Sequence, residues 1–241
     1  MSNRIACIGS INKDDVFLAG GNNASQGKHI SYLSALNLNV PGGFATTTDA
    51  FTEFLEFNGL TDWIESQLEQ LDLRDENQLA EMGKSIRKKI IHGCMPEELA
   101  EEVSFAYKSM ISSNTRLPLV EVKASTTNEN IFDDYFTEQQ LSFFNIKGVN
   151  NIIDAIKKVY ASLFTDKGIT EQIHKNISIS EIAISVTIQH MASSDDGREN
   201  IIQSIHKSSK KIDRKNIAPG AGDVIQLGYY TPTQRFTVMQ K

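Results

Sequence analysis

An α+β fold is predicted for this 241-residue chain by three observations. Its first half carries apolar residues at helical spacing, two strand-like stretches follow Leu117, and one strongly amphipathic helix precedes a third strand of alternating character. Ile30, Leu33 and Leu36 mark a helix over about 24–36, after Gly20-Gly21, and Pro41-Gly42-Gly43 breaks the chain. The segment TTTDAFTEFLEFNG supplies threonines suited to an N-cap, Phe51, Phe54 and Leu55 on one face, and Gly59 as a stop. A helix from about Asp62 to Leu71 buries Trp63, Ile64 and Leu68, and another from about Asn77 to Gly93 presents Leu79, Met82, Ile86 and Ile90. Pro96 opens the next, which carries Leu99, Val103, Tyr107 and Met110.

After Leu117 the texture changes. LPLVEVKAST reads as a strand running into a polar loop, and LSFFNIKG as a second strand ended by Gly148. Over 150–164, Ile152, Ile153, Ile156, Val159, Tyr160, Leu163 and Phe164 form one continuous apolar stripe. In SEIAISVTIQHM, Ile182, Ile184, Val186 and Ile188 alternate with Ala183, Ser185, Thr187 and Gln189, which predicts a strand buried on one face. These elements compose a mixed sheet with one crossover helix. Residues 192–216 read as a polar linker with the basic run KSSKKIDRK, and DVIQLGYY and QRFTVM as two short strands.

Composition excludes several classes. A hydrophobic content of 40% is enough to form a core, so the chain is not disordered as a whole. With 24 basic and 30 acidic residues, the net charge of −6 argues against a general binder of nucleic acid or anionic membrane. Cys7 and Cys94 form neither a disulfide framework nor a zinc-ligand pair. No secretory signal and no long apolar run appears, so a cytoplasmic location is expected.

Individual motifs point only weakly to chemistry. The small residues of Gly20–Gly27 lead into a helix, where backbone N–H groups can meet a phosphate. The stretch is no Walker A loop, and a tight turn with a helix cap explains it as well. Lys123 and the hydroxyls of Ser125, Thr126 and Thr127 follow a strand end, a set able to bind phosphate or simply to form a hydroxyl-rich loop. The acid pairs Asp133/Asp134 and Asp195/Asp196 are sequence neighbours whose side chains usually diverge. His29, His92, His174, His190 and His206 share no metal-binding spacing.

The order of the segments carries more information. GGNNASQGKHISYLSALNLNVPGGFATTTDAFTEFLEFNGL, VEVKASTTNENIFDDYFTEQQLSFFNIKG, IIDAIKKVYASLFTDKGI and ISVTIQHMASSD resemble, in the same order, the opening of the phosphoenolpyruvate synthase (pyruvate, water dikinase) family, from about Asp14 to Asp196. The resemblance implies an ATP-grasp-type N-terminal nucleotide-binding region at 1–196, followed by a divergent tail at 197–241. It implies ATP and Mg²⁺ as cofactors, phosphorylation of a histidine as the family's chemistry, and pyruvate as its acceptor further on. By the same resemblance Lys123, Ser125 and Thr127 would face phosphate, Gln189 to Met191 would border the adenine, and Asn22 and Gln139 are the remaining candidates for nucleotide contact.

Departures from the family pattern fall where phosphate would sit. The lysine of the family's GGK is Asn22 here, the arginine of VRSSAT is Lys123, and a glycine of SFAGQQ is Glu138. The phosphohistidine and pyruvate segments are not recognisable, so a complete dikinase cycle on this chain alone is not expected. Two alternatives accompany this expectation: an inactive binding or regulatory module that keeps the fold, and an ATP-binding domain of the rifampicin phosphotransferase type. The expected partners are a nucleotide and a separate chain carrying the missing domains.

Overall fold

The computed structural model describes residues 4–21, 23, 24, 26, 27, 30, 32, 42–111, 117–126, 142–182, 184–191, 198–201, 214–219 and 234–237. They fall into two units, Met1–His190 and Met191–Lys241.

The first unit is built on a sheet of β1 (Ile5–Cys7), β2 (Gly43–Thr46), β3 (Val120–Thr126), β4 (Ser142–Ile146) and β5 (Ile184–His190). Their spatial order is β1-β2-β5-β3-β4, and every neighbouring pair is antiparallel. The fold is therefore α+β as expected, but the sheet is antiparallel, not mixed. The crossover helix is present, as α6 (Val149–Ser162), and with α7 (Asp166–His174) it carries the chain from β4 to β5. That connection steps over β3, so the two strands it joins run the same way without touching, and each pairs antiparallel with β3.

Strand alternation sets the two faces of the sheet. Val120, Val122 and Ala124 of β3 lie beside His190, Ile188 and Val186 of β5, and Phe44 of β2 lies beside Ile188. Against this apolar face pack α2 (Thr48–Phe57), α4 (Glu76–His92), α5 (Glu97–Ser109) and the α6 stripe, while α3 (Thr61–Leu68) adds Ile64 to the same core. Tyr160 of α6 sits fully buried beside Phe51 and Phe54, with ring centroids 4.9 and 5.5 Å away. Tyr107 of α5 accepts a hydrogen bond from the Gly148 N–H (3.1 Å) and donates one to the Pro118 carbonyl (2.7 Å), tying the starts of β3 and α6 to one helix.

Helix starts follow the capping signals. Thr47 caps α2 by accepting from the Ala50 N–H, and Thr165 caps α7 by accepting from the Gly168 N–H. Asp75 accepts from the N–H groups of both Asn77 and Gln78 at 3.0 Å, so its carboxylate also lies at the positive end of α4. Replacing it (Asp75→Ala) is expected to cost about 1 kcal/mol of stability, as a loss of N-cap does elsewhere. Urea unfolding of the two proteins checks this, and an unchanged midpoint would remove the cap from the account.

The second unit contains β6 (Arg198–Ile201), β7 (Arg214–Pro219) and β8 (Gln234–Thr237), antiparallel in that order. The last of these matches the start of QRFTVM. The first and the start of the second lie where the composition reads as polar linker, because backbone pairing can form a ladder without apolar alternation. DVIQLGYY lies outside the described residues.

Candidate functional site

The second face of the sheet is polar. By alternation it carries Glu121, Lys123 and Ser125 of β3, which lie beside Gln189, Thr187 and Ser185 of β5. The sequence predicts this face of β5 to be open. Instead Ser185 and Thr187 are fully buried, because the glycine-rich segment covers them. That segment includes α1 (Val16–Ala19), and the described residues between Gly21 and Tyr32 are helical. Ala19 and Ala24 pack there with Ile11 and Ala45 in a small apolar cluster of their own.

Asn23 fastens the segment to the sheet. It is fully buried, and its backbone N–H donates to the Ser125 hydroxyl at 3.2 Å. Its side-chain amide donates to the Ala19 carbonyl (2.8 Å) and to the Ser185 hydroxyl (3.1 Å), and its Oδ1 accepts from the Thr187 hydroxyl. The approach is close enough to require glycine at position 20. Gly20 has φ +81°, and a Cβ there would come within 2.6 Å of the Ser125 carbonyl oxygen and closer still to its hydroxyl.

Beside this lock, Gln189 Oε1 accepts two hydrogen bonds, from Gln26 Nε2 of the glycine-rich segment at 2.6 Å and from Lys123 Nζ at 3.4 Å. The Lys123 ammonium also lies 3.7 Å from the Glu121 carboxylate. Both side chains are mostly covered, at 23% and 18% exposure, so the pair is less screened than one in open water. One cation beside the side-chain amides of Gln26 and Gln189 can hold an anion.

The expected site residues divide into three groups. Lys123 and Gln189 meet on the polar face, and half-buried Met191 follows directly after β5. Ser125 lies on the same face, but it is fully buried and its hydroxyl is taken up by the Asn23 N–H. Asn22, Thr127 and Gln139, like Glu138, lie outside the described residues. Sequence reasoning missed Asn23 and Gln26. The signal for Asn23 was the Gly20-Gly21 pair facing a strand with three polar residues at alternate positions, a combination that needs a buried polar partner.

A cleft of about 790 Å³ opens on the other face, lined by Ile5, Phe44, Phe105, Met110 and His190. Glu98, Glu101 and Glu102 also line it. Arg4 pairs with Glu98 (2.7 Å), Glu102 (3.0 Å) and Glu53, and these hydrogen bonds, Glu53 foremost, hold its guanidinium well above the ordinary range. Three carboxylates against one such cation repel a polyphosphate, so the polar face around Lys123 is the better anion site. Among the described residues no group of three or more His, Cys, Asp or Glu could hold a metal ion, and no helix is long and apolar enough to cross a membrane.

An α+β unit whose glycine-rich helical segment lies across the polar face of its sheet fits the class of nucleotide-binding domains. The chain belongs to the pyruvate phosphate dikinase, AMP/ATP-binding domain family, which it matches over residues 16–237. The match continues beyond Asp196 and through most of the second unit, where no motif is legible by eye. Phosphoenolpyruvate synthase of Pseudomonas aeruginosa is 36% identical over 232 residues, 95% of this chain and 29% of that protein. The namesake proteins of Escherichia coli (34% identical, 92% of this chain, 28% of that protein) and Aquifex aeolicus (33%, 92% and 26%) are similar to it as well. The chain thus spans less than a third of the length of these relatives.

Proposed function

We propose that this chain binds ATP for phosphoryl transfer of the phosphoenolpyruvate synthase type, as the first part of an ATP-grasp-type domain. The observation that carries the reading is the meeting of Lys123, Gln189 and Gln26 beneath the glycine-rich segment. Lys123 supplies a point charge for phosphate, Gln26 contributes an amide donor, and Gln189 to Met191 would run along the adenine. Asn22, Thr127 and Gln139 would complete the phosphate contacts, while Ser125 serves the lock under the segment. Magnesium would enter with the nucleotide, held by phosphate oxygens and water more than by a protein cage. The histidine to be phosphorylated and the pyruvate site would lie in other domains, on the same or a separate chain. The boundary would fall near residue 196, with 197–241 as a divergent tail that still belongs to the family match, and the setting would be the cytoplasm.

Calorimetric titration with MgATP tests this. The expected result is binding that Lys123→Met weakens about tenfold, the size of one charge-assisted contact. No heat and no thermal stabilisation at millimolar MgATP would sink the proposal. A second reading, a non-catalytic module that keeps the fold, is favoured by the Glu121 carboxylate standing 3.7 Å from the very cation a phosphate needs. It predicts binding of nucleotide, or of a different anion, without phosphoryl transfer when the missing domains are supplied.

A further inference from the structure

We infer that Glu121 is an affinity-determining residue of this site, an internal counter-ion that a phosphate must displace from Lys123. This inference rests on the nucleotide-binding reading above. Glu121 and Lys123 are two residues apart on β3, so the strand's alternation puts both on the polar face. Glu121 lies beside Gln189 and Lys123 beside Thr187, at the centre of the sheet and not on a free edge. The Lys123 ammonium therefore stands between two acceptors of this chain, the Glu121 carboxylate at 3.7 Å and the Gln189 amide oxygen at 3.4 Å.

Two effects follow from the same distance. A phosphate that takes Lys123 must break its pairing with Glu121, and it must then sit within a few ångströms of a carboxylate that has lost its cation. Both weaken anion binding, and the low exposure of the two side chains keeps water from screening either. Gln189 extends the consequence to the glycine-rich segment. Its Oε1 is shared by Lys123 and Gln26, so a shift of the ammonium toward a phosphate loosens the Lys123 contact with that oxygen while Gln26 keeps its own. Glu121 thus sets how strongly the site holds polyphosphate and how readily Lys123 is released to it.

The test compares the unmodified chain with Glu121→Gln, using MgATP and inorganic tripolyphosphate as separate titrants. Glutamine keeps the shape and the hydrogen bonding and removes the charge. The expected result is about tenfold tighter binding of both titrants in the variant, a gain that disappears when Lys123→Met is added to it. Glu121→Thr, which suits a strand, should give the same gain and covers the case that glutamine misfolds. Equal affinities for the two proteins would overturn the inference, and so would a gain that persists without Lys123. If no protein binds either titrant, the nucleotide reading fails, and the pairing is then judged alone by the side-chain NMR signal of the Lys123 ε-methylene. A shift of that signal in Glu121→Gln upholds the counter-ion, and no shift overturns it.

Discussion

Replacing Asn23 by alanine is expected to lower the free energy of unfolding by about 3 kcal/mol, the cost of breaking a buried polar network at its centre. The side chain holds the Ala19 carbonyl and the hydroxyls of Ser185 and Thr187 at once, in a place with no exposure. Ser185 keeps a donor bond to the Thr46 carbonyl at 2.6 Å, so its loss is partial. The Ala19 carbonyl and the Thr187 hydroxyl lose their bonds to Asn23 and are left facing a small void. Denaturant unfolding measures the global loss, and amide exchange at residues 19–27 measures the local one. The segment should lose protection more than α6 does, because α6 belongs to a separate core. A loss below about 1 kcal/mol would mean that the network is not what holds the segment down.

Truncating Tyr160 to alanine is expected to cost more, about 4 kcal/mol, as large-to-small changes of a buried aromatic do. Its ring fills the junction of α2 and α6 against Phe51 and Phe54. Tyr160→Phe should cost about 1 kcal/mol or less, since the hydroxyl lies 3.5 Å from Thr46 Oγ1, which also receives the Val186 N–H. The hydroxyl has a separate signature. Burial pushes the phenol well above its ordinary value of 10.0, so above that pH the unfolded chain ionises while the folded one does not. The unfolded state then binds fewer protons than the folded state, and stability falls as pH rises. Tyr160→Phe should lose less stability than the unmodified chain between neutral pH and pH about 11. Parallel slopes for the two proteins would show that Tyr160 ionises freely when folded.

The parts of the fold legible in the sequence are those with one strong local pattern. The stripe from Ile152 to Tyr160 fixes α6 within a residue or two, and the alternation around Val186 marks β5. Pairing was not legible, because whether β5 lies between β2 and β3 depends on partners far away in the chain. The same holds for the second face of β5. Ser185 and Thr187 look solvent-facing by type, and only the arrival of Asn23 explains why polar residues are fully buried there. At the candidate site, the family resemblance drew attention to the position of Lys123, while Glu121 reads as an ordinary strand residue until its carboxylate is found 3.7 Å from that lysine.

The position of β5 has a consequence for how the chain is made. It is the strand that joins the pair β1-β2 to the pair β3-β4, and it comes last of the five in sequence. Phe44 must wait for Ile188 before its row of the sheet is complete. During synthesis, two half-sheets therefore emerge from the ribosome with bare edges and no common neighbour until His190 follows. Such edges invite pairing with other chains, and contacts this distant in sequence form slowly. The β1-β2 pair is exposed to misassembly once Thr46 has emerged and the β3-β4 pair once Ile146 has, and β5 ends both exposures in a single step.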